Sequence, residues 1–303
     1  MANAALYDRE MYIRSAIGTR LWAASVGRGP GVVLCDGLGC DGYVWKYVLP
    51  DLSRDCQVIR WHYRGHGLSE APDSLDAMNI EGLTLDLGVM LDEMGLKEPV
   101  VLVGHSMGVQ VVLEAALRYG SRVAGVVALC GAAGRPLDTF KNTRLGLTVL
   151  PIVQDAVRRY PALSAGLWGG LVPSAPALAL VKAFEINSSL LNVEEMRPYL
   201  ERLAEMDPRV FLSMLEHASQ HSAQERLHEL AGLPALVVAA QRDTFTPMQR
   251  SVAIHDALPG SEFFMLPEAT HTGPLEWPEL LNLRIRKWMH DHGILPPIGR
   301  LAG

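Results

Sequence analysis

Six short runs of Val, Ile, Leu and Ala, each closed by glycine or a polar turn, set the tightest limit on what this chain can fold into. They are Val32–Cys35, Val58–Trp61, Val100–Val103, Val123–Cys130, Ala235–Ala240 and Phe263–Leu266. Apolar-rich runs of about four to eight residues bounded by turn signals read as strands buried on both faces. Helical patterns lie between them. Leu83, Leu87, Met90, Leu91 and Met94 fall on one helix face, Gly95 supplies a C-cap and Pro99 opens the next strand. Met107–Tyr119 reads as a second helix, ended by Gly120. Strand–helix alternation of this kind implies an α/β fold: a mostly parallel central sheet flanked by helices.

The alternation stops near Gly131 and resumes near Leu233. The residues between have helical character, with amphipathic stretches at Ser189–Leu203 and Arg209–Leu230 bounded by Pro198 and Pro208. A structureless loop of that length does not occur inside a compact domain. The expected organisation is therefore a core domain of residues 1–130 and 234–303, with residues 131–233 inserted as a helical lid. Pro161–Val181 is free of charge over 21 residues, long enough to span a bilayer. Pro161, Pro173, Pro176, Gly166, Gly169 and Gly170 interrupt it, so a buried or pocket-facing segment is expected and stable membrane insertion is not. Leu145–Val153, with Pro151 inside it, is the other apolar part. These stretches either form the lid's own small core or face an aliphatic part of a ligand.

A net charge of −6 over 303 residues gives no basic excess for binding nucleic acid. Cys35, Cys40, Cys56 and Cys130 are too few for a disulfide framework and show no metal-type pairing, so reduced thiols and a cytoplasmic setting are expected. Asp8, Arg9, Glu10 and Arg14 break up any apolar leader, and no secretory signal is read there.

The chemistry concentrates in Gly104-His105-Ser106-Met107-Gly108, which joins a buried strand to a helix. A serine at such a strand–turn–helix elbow is a nucleophile candidate, because the turn aims its hydroxyl outward and the helix N-terminus offers the Met107 N–H to an oxyanion. Serine needs a base, and the base an orienting acid. His271 follows the last strand run, at the sheet edge where a ligand-facing base belongs. Asp243 follows Ala235–Ala240, either as that acid or as the cap of the next helix. The other acid position, after Val123–Cys130, has only Asp138, eight residues on. His290 and His292 read as surface residues of a C-terminal helix. His217, His221 and His228 share no helix face with a third ligand, so no metal is expected. A second oxyanion donor belongs in Cys35-Asp36-Gly37-Leu38-Gly39, and Leu38 N–H is the candidate.

These residues, with Arg64-Gly65-His66-Gly67-Leu68-Ser69 and the tail from His271 to Glu279, resemble the α/β-hydrolase fold superfamily, in particular its lidded serine esterases. The order Ser106, Asp243, His271 matches nucleophile, acid and base in that group. Ser106 departs from the aspartate nucleophile of the related dehalogenases and epoxide hydrolases. The resemblance implies a lid inserted after strand six, no cofactor, and cleavage of a small-molecule carboxylic ester through a Ser-His-Asp triad. Lactonase, thioesterase, C–C hydrolase and cofactor-free perhydrolase activity use the same triad, and slow-turnover receptors share the fold. Asp36-Gly37 stands where the family has His-Gly, and His62 where it has Asp. An exchanged pair is expected, with Asp36 and His62 joined by a charge-assisted hydrogen bond.

Overall fold

The computed structural model describes residues 6–136, 145–184 and 186–296. The six runs form the parallel part of an eight-stranded sheet: β3 (Gly31–Cys35), β4 (Gln57–Trp61), β5 (Val100–His105), β6 (Val123–Leu129), β7 (Ala235–Ala240) and β8 (Glu262–Leu266). Two further strands, β1 (Arg9–Arg14) and β2 (Arg20–Val26), precede them as an antiparallel hairpin. The sequence reading missed both. β1 is an edge strand, so its Arg9, Glu10 and Arg14 face solvent, and charge on an edge blunts unwanted pairing. Strand order is β1-β2-β4-β3-β5-β6-β7-β8, with β2 antiparallel to β4 and every later pairing parallel.

Successive side chains of a strand point to opposite faces, and each face here has its own helical cover. Leu102 and Val126 face a layer that includes Leu87 and Leu91 of α2 (Ile80–Glu93) and Val112 of α3 (Gly108–Tyr119). Val101, Val103 and Val127 face Val48 and Leu52 of α1 (Val48–Leu52) and Ile285 and Trp288 of α11 (Pro278–Asp291). All six residues of β5 are buried, as a strand covered on both faces requires. Asn79 caps α2 by accepting Gly82 N–H, and Gly95 follows its end at φ 75°.

Between β6 and β7 the chain forms α4 (Leu145–Arg159), α5 (Pro161–Leu171), α6 (Ala175–Phe184), α7 (Arg197–Glu205) and α8 (Pro208–Gln220). α9 (Met248–Ala257) follows β7, and the short α10 (Gly273–Glu276) follows β8. The excursion leaves and returns through one pinch. Gly134 and Ser222 form an antiparallel bridge, Ala223 N–H donates to Ala133 O at 2.9 Å, and Arg135 N–H to His221 O at 3.0 Å. That pairing stops α8 at Gln220, where continuous amphipathicity to Leu230 was expected. Asn192 and Pro198 likewise start α7 late, after a 3-10 turn at Val193–Met196, within the stretch read as one helix from Ser189.

The uncharged segment differs most from expectation. Pro161 sits in the first turn of α5, where its missing N–H costs nothing, and Pro173 and Pro176 fall at the break and at the start of α6. The prolines start helices here, and α5 has no buried residue. Leu163, Leu167, Leu171 and Leu180 are all more than half exposed, so most of the segment faces outward, Leu178 being buried. Val149 and Ile152 of α4 are exposed too. The apolar contacts of this region instead join Leu178, Ile186, Leu191, Met196 and Leu200 to Leu275 of α10. Among the described residues no single helix is long and apolar enough to cross a membrane; α5 and Ala175–Lys182 together have the composition but are bent by 63°.

Candidate active site

Ser106 follows β5 directly and stands at φ 56°, a backbone region that costs a non-glycine residue on the order of 1–3 kcal/mol. The surroundings hold it there. Ser106 N–H donates to Leu129 O at 3.0 Å, and a Cβ on Gly108 would lie 2.2 Å from Cys35 O. Of the four non-glycine residues at positive φ among those described, three follow strand ends beside this site: Ser106 after β5, Cys130 after β6 and Glu268 after β8.

The loops after β5, β7 and β8 converge. His271 Nε2 lies 2.9 Å from Ser106 Oγ, and His271 Nδ1 lies 2.8 Å from Asp243 Oδ2. With Nδ1–H donating to the carboxylate, Nε2 is left to accept the serine proton. Asp243 is buried; its Oδ1 accepts N–H bonds from Phe245 at 2.8 Å and Thr246 at 2.9 Å. It does not cap α9, whose N-terminus has no side-chain cap. Thr246 Oγ1 lies 2.7 Å from Cys130 O and 2.9 Å from Asp243 Oδ2, tying this turn to the end of β6. Asp138 lies outside the described residues.

The loop after β3 closes against the nucleophile: a Cβ on Gly37 would come within 3.2 Å of Ser106 Cβ. Gly39 N–H donates to His66 Nε2 at 3.2 Å, while His66 Nδ1 bonds Arg64 O at 3.0 Å. Among the described residues, neither Leu38 N–H nor Met107 N–H has a protein acceptor. Burial lowers the His66 pKa to about 4, so the ring is neutral and can accept from Gly39. Arg64 is fixed in turn by a buried pair with Asp86, Nε to Oδ2 at 2.7 Å and Nη2 to Oδ1 at 2.6 Å. Burial raises the Asp86 pKa and Arg64 opposes the rise.

Three supporting residues escaped the sequence reading. His66 lies in the quoted Arg64–Ser69 motif, but nothing in the spacing says which backbone it holds. His105 is the variable residue of the elbow; its Nε2 lies 3.0 Å from His271 O, and burial, with His271 beside it, lowers its pKa to about 3. Glu276 is buried, and its carboxylate accepts Thr270 N–H at 2.6 Å and Thr270 Oγ1–H at 2.8 Å. It also accepts Asn187 N–H at 2.7 Å, joining the His271 loop to the chain leaving α6. Asn187 Nδ2 donates to Glu268 O of the same loop at 2.9 Å.

The exchanged pair does not form. β3 and β4 are neighbours as expected, but both nitrogens of His62 are taken. Nδ1 accepts Leu68 N–H at 2.9 Å, Nε2 lies 3.2 Å from Asp41 O and 3.0 Å from Arg60 Nη2, and the ring stacks on Trp22 at 4.3 Å. Burial, then the Arg60 charge, lower its pKa to about 3, so it carries no charge to offer Asp36. The Asp36 carboxyl is buried with no hydrogen-bond partner on Oδ1, and burial raises its pKa to about 7 against the pull of Arg60.

The remaining histidines serve locally. His217 Nδ1 bonds Ser213 O, His221 Nε2 faces Glu114 at 3.3 Å and His228 Nδ1 bonds Glu225 O. His292 is exposed and lies 3.0 Å from Glu262; His290 is half-buried against Pro296 O. No group of three or more His, Cys, Asp or Glu arranged for a metal occurs among the described residues.

The family model for the alpha/beta hydrolase fold matches residues 30–278. Bifunctional epoxide hydrolase 2 of Sus scrofa is 33% identical over 119 residues, 39% of this chain and 21% of that protein, so the match spans about a fifth of that relative's length. The pimeloyl-[acyl-carrier protein] methyl ester esterase of Methylococcus capsulatus is 27% identical over 258 residues, 83% of this chain and 91% of that one. A thermophilic esterase from Thermogutta terrifontis superposes with a TM-score of 0.73 at 24% identity, covering 94% of this chain and 99% of its own.

Proposed function

Since the chain belongs to the α/β-hydrolase fold family, whose relatives support a hydrolytic role, we propose that it cleaves carboxylic esters through Ser106, His271 and Asp243. The observation that carries this reading is the unbroken line from Ser106 Oγ to His271 Nε2 at 2.9 Å and from His271 Nδ1 to Asp243 Oδ2 at 2.8 Å. In the first step His271 Nε2 takes the Ser106 proton as Oγ bonds to the ester carbonyl carbon. The carbonyl oxygen becomes an oxyanion, held by the N–H groups of Leu38 and Met107, each worth about 3 kcal/mol in such sites. Asp243 stabilises the imidazolium that forms. His271 then protonates the leaving alkoxide as the C–O bond breaks, leaving an acyl-serine and a free alcohol. Water, deprotonated by His271, attacks that ester; collapse releases the carboxylic acid and returns the proton to Ser106.

The nucleophile's identity argues against the chemistry of the epoxide hydrolase relative. Serine opening an epoxide would form an ether that water at a triad does not cleave, whereas attack on a carbonyl gives a hydrolysable ester. Lactones and thioesters present the same carbonyl and belong to the same mechanism. The five helices between β6 and β7 act as a cap in this reading. A Cβ on Gly39 would meet Leu203 of α7 at 2.7 Å and Phe211 of α8 at 3.1 Å, which sets these side chains over the oxyanion loop and favours an aliphatic acyl or alkyl group.

Ser106→Ala is the test. The variant is expected to lose turnover of p-nitrophenyl acyl esters while keeping the wild-type circular dichroism spectrum and melting temperature. A serine-directed phosphonate should add its mass to the wild type alone. Undiminished activity, or phosphonylation of the variant, would overturn the assignment.

A further inference from the structure

Exposed large apolar side chains are unevenly spread over this molecule. Of fifteen such residues among those described, eight lie between Val149 and Leu180, on α4, α5, α6 and the Tyr160 that joins α4 to α5. Leu163, Leu167 and Leu171 repeat every fourth residue, so they form a ridge along the outer side of α5, each 53–62% exposed. About a quarter-turn round the helix from Leu167, Trp168 anchors it: its indole N–H donates to Leu203 O at 2.8 Å and its ring meets Phe211 at 5.1 Å. This reverses the usual arrangement of a surface helix, which turns its apolar stripe inward.

Charge selects the occupant. In a chain of net charge −6, the 29 residues between Asp155 and Glu185 contain Arg158, Arg159 and Lys182 and no carboxylate side chain. The three cations flank the ridge, with Arg158 and Arg159 just before α5 and Lys182 near the end of α6, and all three are exposed. An apolar ridge bounded by cations and an interfacial tyrosine matches the layering of an anionic lipid surface: hydrocarbon beneath, phosphate at the rim. A second copy of this chain would bring the same cations against themselves. The 63° bend between α5 and α6 excludes a straight span and leaves both helices free to lie in the plane of the interface.

We propose that α5 and α6 form a docking surface for anionic lipid, seated through the Leu163–Leu167–Leu171 ridge and held by Arg158, Arg159 and Lys182. The surface stands next to the chemistry. Trp168 of α5 bonds the Leu203 carbonyl and meets the Phe211 ring, and the side chains of Leu203 and Phe211 abut Gly39 of the oxyanion loop. A lipid-borne ester would therefore reach the cap from the membrane side, and the substrate class becomes esters with a long acyl or alkyl chain; only this last step rests on the serine-hydrolase reading.

Flotation with vesicles of phosphatidylcholine containing about 30% phosphatidylglycerol tests the surface. It is run on Ser106→Ala as well as the wild type, so that binding is read without hydrolysis. Both are expected to float with the vesicles. Replacing Leu163, Leu167 and Leu171 together by serine should weaken binding about tenfold or more, as should replacing Arg158, Arg159 and Lys182 by glutamine. Both variants should keep the wild-type melting temperature and full turnover of a soluble acetyl ester. Failure of the folded protein to float, equal flotation of the leucine variant, or a dimer in light scattering that the leucine variant dissolves would each overturn the proposal. If Ser106→Ala floats but no ester is cleaved by the wild type, the docking surface stands and the hydrolase assignment falls.

Discussion

Leu102 in β5 and Leu167 in α5 are the same side chain in one chain, yet the first is 0% exposed and the second 53%. The difference follows from how each backbone is satisfied. A central parallel strand pairs its N–H and C=O groups with neighbours on both sides, as β5 does with β3 and β6, and helices then cover both faces. Its side chains have nowhere to go but inward. A helix pairs its backbone groups with itself, so it can turn an apolar face outward with no unpaired backbone group. Burial is forced in the sheet and optional in the inserted helices.

Substitutions can break or sharpen that contrast. The largest effect belongs to the sheet edge: Asp243→Asn should lower ester turnover by about 10⁴-fold with little change in melting temperature, since it would leave His271 in the wrong tautomer. Arg64→Ala should cost about 3–5 kcal/mol in chemical denaturation, because it strands the fully buried Asp86 carboxylate. Leu102→Ala should cost about 2–5 kcal/mol, whereas Leu167→Ala should stay within about 0.5 kcal/mol. Equal costs would show that the α5 ridge is packed in solution.

Glu276→Gln probes one contact between the two regions. Both carboxylate oxygens accept N–H bonds there, so an amide turns an NH2 group toward at least one donor. A fall in kcat of about tenfold is expected, with KM nearly unchanged, if the tie positions His271. A rise in KM alone would mean that it holds only the inserted helices. Asp36 gives a pH-dependent test. Its folded pKa, about 7, stands above the ordinary 3.8, so folding holds this proton more tightly than the unfolded chain does. The stability it contributes is complete below pH 4 and is lost as pH rises through about 7. Asp36→Asn should therefore flatten the fall in melting temperature between pH 5 and pH 8. An equal loss at both values would refute this.

The same contrast explains what could be read in the sequence. The six strand runs, the elbow and the loop positions of Asp243 and His271 were legible because parallel strands leave one pattern and one edge for ligands, although β8, at the sheet edge, is not buried on both faces and leaves Met265 exposed. β1 and β2 were not, since Arg9, Glu10 and Arg14 hide an edge strand among charges that read only as a broken leader. The outward face of Pro161–Val181 was invisible because composition records apolarity and not direction. His66, His105 and Glu276 act on backbone groups, which leave no partner residue in the sequence to match them. The Asp36–His62 expectation failed for a related reason: strand adjacency was right, but Leu68 N–H and Asp41 O had already claimed the ring.

The pinch at Gly134 and Ser222 gives the inserted helices a topological standing of their own. Because the chain leaves and rejoins at a single bridge, everything between is a side branch whose two roots are already held together. The ends of β6 and β7 are set by their own pairing and the bridge, whatever the length or fold of the branch. Exchanging such a branch, cut at Gly134 and Ser222, means refitting its contacts with Glu276 and Leu275, with Lys46 and Tyr47 through Glu195, and with the main core through Val210, Met214 and Ala218 of α8. What the molecule binds could then change while the register that holds Ser106, Asp243 and His271 in line does not.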